Sequence, residues 1–63
     1  MKTLKLIDVD KVEAGDVLVF NHVRLVVDYV EKNGFSYDLQ LHDWKGVKVQ
    51  KCLVQGDRVS LEI

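Results

Sequence analysis

The chain has 63 residues, 48% hydrophobic and 30% charged, with nine Lys and Arg against ten Asp and Glu for a formal net charge of −1. At that length it reads as one domain over 1–63, and folding buries only about 60% of the surface that the unfolded chain exposes, which excludes a large core. One cysteine excludes an internal disulfide, the lack of an apolar run of about 18 residues excludes a spanning helix, and interspersed charge signs exclude a dense basic stripe for nucleic acid.

Met1-Lys2-Thr3 leads into a strand-like run at Leu4-Lys5-Leu6 with no apolar leader segment. Together with the lone Cys52 this gives the expectation of a reduced, cytoplasmic setting and no membrane. Asp8 to Val12 reads as a bend or a single helical turn. Gly15-Asp16 marks a turn, because Gly accepts a positive φ and Asp bonds its own backbone. Val17 to Phe20 is short and continuously apolar, which predicts a strand buried on both sides. Asn21-His22 then reads as a two-residue hairpin turn.

Val23 to Val30 alternates with period two, placing Val23, Leu25, Val27 and Tyr29 on one face and Arg24, Val26, Asp28 and Val30 on the other. That second face is only half polar. Asn33-Gly34 predicts a type I′ hairpin. From Phe35 to His42 the alternation is cleanest, with Phe35, Tyr37, Leu39 and Leu41 inward and Asp38, Gln40 and His42 outward. Asp43-Trp44-Lys45-Gly46 follows as a turn, Val47-Lys48-Val49-Gln50 as a strand with its valines inward, and Cys52-Leu53-Val54 as an apolar stretch. Gly56-Asp57 turns the chain into a last strand, Arg58 to Ile63, with Val59, Leu61 and Ile63 inward. With no proline and five or six short strands, little length is left for helix.

Consecutive hairpins must bury one face, and in 63 residues the compact solution is a curled sheet. The expected fold is all-β, a small barrel of five to six short antiparallel strands. Val12-Glu13-Ala14-Gly15-Asp16-Val17, the hairpin tip at Asn33-Gly34, the turn at Lys45-Gly46 and the return at Gly56-Asp57-Arg58-Val59 together resemble the layout of SH3-like small β-barrels. The pattern is similar to KOW-type domains and to the N-terminal barrel of elongation factor P, and in size it resembles small SH3-like proteins that bacteriophages encode. The phage-encoded likeness rests on size and turn layout. A translation-factor role is not carried over, since Glu31-Lys32-Asn33-Gly34 is an ordinary turn rather than a Pro- and Gly-rich tip with a modifiable lysine.

Chemistry-bearing residues are sparse. His22, His42, Asp43 and Cys52 have metal-ligand character but no spacing that lets one element supply two ligands, so no metal or other cofactor is expected. Leu53 and Val54 beside Cys52 predict an inert, buried thiol. A barrel this small fills its interior with side chains, and with no Ser-His-Asp arrangement or catalytic carboxylate pair the chain reads as non-enzymatic. Trp44 either folds back as a lid on the core, the favoured reading, or is presented to a partner.

Three binding hypotheses follow. The first is a protein-interaction module, self-associating through Val26, Val30 and Trp44, with Phe20 adding to an outer apolar patch. The second is nucleic-acid binding by Lys45, Lys48, Lys51 and Arg58 if folding gathers them on one face, with Trp44 stacking on a base. The third is capture of a nucleotide-like ligand between subunits, with Arg24 or Arg58 facing a phosphate.

Overall fold

The computed structural model describes residues 3–63, and the reading of Met1 and Lys2 as a bare lead-in lies outside the described residues. Six strands follow one another: β1 (Leu4–Asp8), β2 (Val17–Phe20), β3 (Val23–Asn33), β4 (Ser36–His42), β5 (Lys48–Val54) and β6 (Arg58–Glu62). All neighbours are antiparallel in one sheet of order β1-β6-β2-β3-β4-β5. The domain is therefore all-β, and its sole helical segment among the described residues is a 3₁₀ turn, Val9–Lys11.

The order follows from the turns. β2 to β5 are joined by short hairpins, and β6 returns across the sheet to pair with both β2 and β1. The Val9 N–H donates to the Asp57 carbonyl at 2.9 Å, tying the 3₁₀ turn to the start of β6. Free edges remain at β1 and β5, where Lys5, Lys48 and Lys51 place charges that oppose edge-to-edge pairing.

Val9, Val12, Leu18, Leu25, Val27, Tyr37, Leu39, Leu41 and Val59 form the core on the inner face. Tyr37, Leu39 and Leu41 alternate along β4 as the sequence predicts, and β4 is central enough that Leu39 and Leu41 are fully buried. In β2 the expected two-sided burial is absent: Leu18 alone is buried, while Val17, Val19 and Phe20 are half-buried because only one face of the sheet is covered. Phe20 packs against the core, with the Lys51 ammonium over its ring, and does not join an outer patch. Phe35, Val47 and Ile63, expected inward, lie exposed beyond the strand ends.

One irregularity reorganises β3. Val27 pairs with Leu41 but Tyr29 pairs with Gln40, so Asp28 is an extra residue in a β-bulge. Beyond it the two faces exchange. Tyr29, predicted inward, is half exposed, and Val30, predicted outward, sits opposite Leu39 and packs against the core. The outward placement of Val30 is thereby overturned. The bulge also shifts the hairpin tip, since Asn33 pairs with Ser36 and leaves Gly34 (φ 62) and Phe35 as the loop. Glycine with positive φ at the first loop position makes this a type II′ arrangement rather than the predicted Asn-Gly type I′. The type I′ pair is instead Asn21 (φ 50) and His22 (φ 69), between the paired Phe20 and Val23.

Two further turns share one design. In Glu13-Ala14-Gly15-Asp16 the Glu13 N–H donates to Asp16 Oδ2 at 2.9 Å and the Asp16 N–H donates to the Glu13 carbonyl at 3.1 Å. Val54-Gln55-Gly56-Asp57 repeats it, with 3.0 Å for both bonds. Gly15 and Gly56 stand at φ 96 and φ 97, where a Cβ is strained.

Candidate binding face

The outer face of the sheet is built by register. Leu4, Glu62, Val17, Val26, His42 and Lys48 are successive cross-strand partners, one from each strand across the sheet. Leu6, Ser60, Val19 and Arg24 form a second row beside it. Strand alternation puts these residues opposite the core, and the first three strands contribute mainly apolar ones. Leu4 and Leu6 are more than half exposed.

Arg24 crosses the two rows, donating to Glu62 Oε2 from Nη2 at 2.7 Å and from Nε at 3.1 Å. The Glu62 side chain is only 9% exposed, so this pair is a committed, partly desolvated anchor within an apolar surround. Beside it lies an open depression of about 180 Å³ lined by Val17, Arg24, Val26 and Trp44.

Trp44 reaches that depression from the β4–β5 turn. Asp43 Oδ1 accepts the N–H groups of Lys45 and Val47, both at 2.9 Å, and the Asp43 carbonyl accepts the Gly46 N–H at 2.9 Å. Gly46 adopts φ 86 to close the loop. With its backbone so fixed, Trp44 stands 84% exposed, with the Lys45 ammonium 5.2 Å from its ring centroid. The lid reading is overturned: Val9 and Val12, from the 3₁₀ turn and the segment after it, fill the core, and the indole is left in solvent.

Farther along the same face, the bulge residue Asp28 gathers two partners. His42 Nδ1 lies 2.8 Å from Asp28 Oδ1, and Lys48 Nζ lies 3.4 Å from Oδ2. Partial desolvation pushes the Asp28 carboxyl up, but the hydrogen bonds and charges of His42 and Lys48 outweigh it and hold the group below its ordinary value. Cys52 is exposed on β5, not buried as expected, because its side chain shares the outer face with its cross-strand partner Asp38. The hydrogen bond to the Asp38 carboxylate, then desolvation, then its negative charge push the thiol above its ordinary range.

The four basic residues considered for nucleic acid are not brought together. Lys45 lies over Trp44, Lys48 reaches Asp28 on the outer face, Lys51 lies over Phe20, and Arg58 stands by Asp8 on β6. Val26 and Trp44 share the depression, whereas Val30 is on the other side of the sheet. Of the two arginines, Arg24 is engaged by Glu62, and Arg58 approaches Asp8 no closer than 3.4 Å. Among the described residues no group of three or more His, Cys, Asp and Glu converges as a metal site. No described helix is long and apolar enough to cross a membrane. Compared with protein-family models, curated proteins and solved structures, the chain matches none.

Proposed function

We propose that this chain is a non-enzymatic binding module whose outer sheet face docks a second copy of the chain. The observation that supports this most is Trp44, 84% exposed on a turn fixed by Asp43 and placed beside Val17 and Val26. An unburied Trp next to apolar strand residues and an exposed Arg held by a nearly buried Glu62 is the composition of an interface hot spot. A thin core also favours a second copy as the added source of stability. Val26, Val17 and Trp44 form the proposed contact, with Arg24 and Glu62 within it.

The strand order, the Gly-Asp turns and the return of β6 to β1 and β2 support a finer reading of the fold as an SH3-like small barrel with KOW-type layout. That reading extends to a cytoplasmic binding protein of the small phage-encoded kind. Sedimentation velocity across about 1–200 µM tests the function. A concentration-dependent dimer that Trp44→Ala and Val26→Lys both abolish, with circular dichroism unchanged, is expected. A strict monomer throughout, or a dimer indifferent to both substitutions, overturns the proposal.

A further inference from the structure

Apart from the depression beside Trp44, an open cleft of about 360 Å³ lies at the corner where β1, the 3₁₀ turn and β6 meet, lined by Lys5, Leu6, Ile7, Asp8, Lys11 and Arg58. Three cations from three separate elements border it, against one carboxylate, in a chain whose net charge is −1. The cations are also only weakly engaged. Among the described residues, no carboxylate lies within ion-pair distance of Lys5 or Lys11, and Arg58 meets Asp8 only at 3.4 Å, through Nε, with no hydrogen bond. The Arg58 side chain is 66% exposed, so its guanidinium fork is open to a planar or tetrahedral oxyanion. The contrast with Arg24, held at 2.7 Å by a nearly buried Glu62, is internal to the molecule.

We propose that this cleft binds the phosphoryl group of a small phosphomonoester, with Arg58 as the bidentate donor and Lys5 and Lys11 as flanking charges. Its volume falls at the low end of the ~300–1,000 Å³ usual for small-ligand sites, enough for a phosphoryl group and its carrier. Leu6 and Ile7 supply an apolar wall for the carrier. Among the described residues no aromatic side chain lines the cleft, so it has no platform for stacking a base, and Lys45, Lys48 and Lys51 are engaged elsewhere, over Trp44, at Asp28 and over Phe20. Asp8 sets the affinity from the other side: it repels the dianion and competes for Arg58.

The opposed roles of Asp8 and the cations make the test specific. The ¹⁵N-labelled full chain is titrated with ribose 5-phosphate at low salt, with acetate as the anion control and a single-stranded ribo-oligomer as a third arm. Saturable shifts centred on Lys5, Lys11 and Arg58 are expected, with Kd on the order of 1 mM. Lys11→Gln and Arg58→Gln each weaken binding about two- to fivefold, and Asp8→Asn tightens it by a similar factor, as exposed charge pairs allow. Non-saturating shifts equal to those of acetate overturn the proposal, as do Asp8→Asn and Arg58→Gln variants that bind like the parent, or binding of the oligomer without ribose 5-phosphate. The Trp44→Ala variant retains the site, which separates this result from the fate of the outer-face dimer.

Discussion

The bulge at Asp28 makes a prediction that opposes two chemically identical substitutions on one strand, Val26→Lys and Val30→Lys. A regular β3 puts both valines on the same face, so both substitutions would cost about the same. In the structure Val26 lies outside, opposite Val17 and His42, while Val30 lies inside, opposite the fully buried Leu39 and against the core. Complete burial of a valine side chain contributes about 1.5–3 kcal/mol, and Val30 is half-buried, so truncating its contacts costs about 1 kcal/mol. Lys at that position must also carry its ammonium past Leu39 to water, which adds about 1 kcal/mol of strain and lost packing. The lower β-propensity of Lys applies to both positions and cancels in the comparison. Val30→Lys is therefore destabilised by about 2 kcal/mol, a Tm loss of about 8–16 °C in a domain of this size. Val26 is half-buried as well, but on the outer face, where Lys lays its stem along the sheet with its ammonium already in water, so Val26→Lys costs about 1 kcal/mol, half the loss at Val30. Thermal denaturation by circular dichroism at a concentration low enough to keep the chain monomeric reads the difference. Equal losses at the two positions, or a larger loss at Val26, would refute the bulge and the face assignment built on it.

His22→Gly relieves a left-handed residue that costs about 1–2 kcal/mol when not glycine, against about 0.4–1 kcal/mol for glycine's unfolded-chain entropy, and raises the Tm by a few degrees; a lower Tm in a calorimetric scan contradicts the type I′ turn. Asp38 holds the exposed Cys52 thiol protonated, so alkylation by iodoacetamide at about pH 8 is slower than that of free cysteine, and Asp38→Asn accelerates it; equal rates for parent and variant count against the pairing. Because folded Asp28 takes up its proton less readily than the unfolded chain does, its stabilisation is complete above about pH 5 and is lost as pH falls through the unfolded and then the lowered folded value. The urea-unfolding gap between the parent and Asp28→Asn accordingly narrows from about pH 5 to about pH 3, and a gap that holds or widens rejects the His42–Asp28–Lys48 cluster.

Period-two patterning made the core of β4 legible, and the Gly-Asp pairs made two turns legible down to the carboxylate that closes each, because both depend on residues next to one another in sequence. What patterning missed depends on pairing. A strand's alternation gives its two faces only while its partner advances one residue for each of its own, and at Asp28 the β4 partner does not. The signal was present as a single charged residue inside the apolar run Val26-Val27-Asp28-Tyr29-Val30, where regular alternation would give it an outward place like any other polar residue. Nothing local separates an outward Asp from a bulged one; the distinction lies in His42 and Lys48, fourteen and twenty residues away, which gather on its carboxylate. The same reasoning applies to the two candidate surfaces. Trp44 was visible as a large ring in a turn, yet nothing beside it in sequence told that Val9 and Val12 are in the core while the indole is exposed. Lys5, Lys11 and Arg58 are scattered through the chain and border one cleft only because β6 returns to pair with β1. The binding surfaces proposed for so small a sheet thus rest on register and strand order, and the substitutions that test them are those that distinguish one register from another.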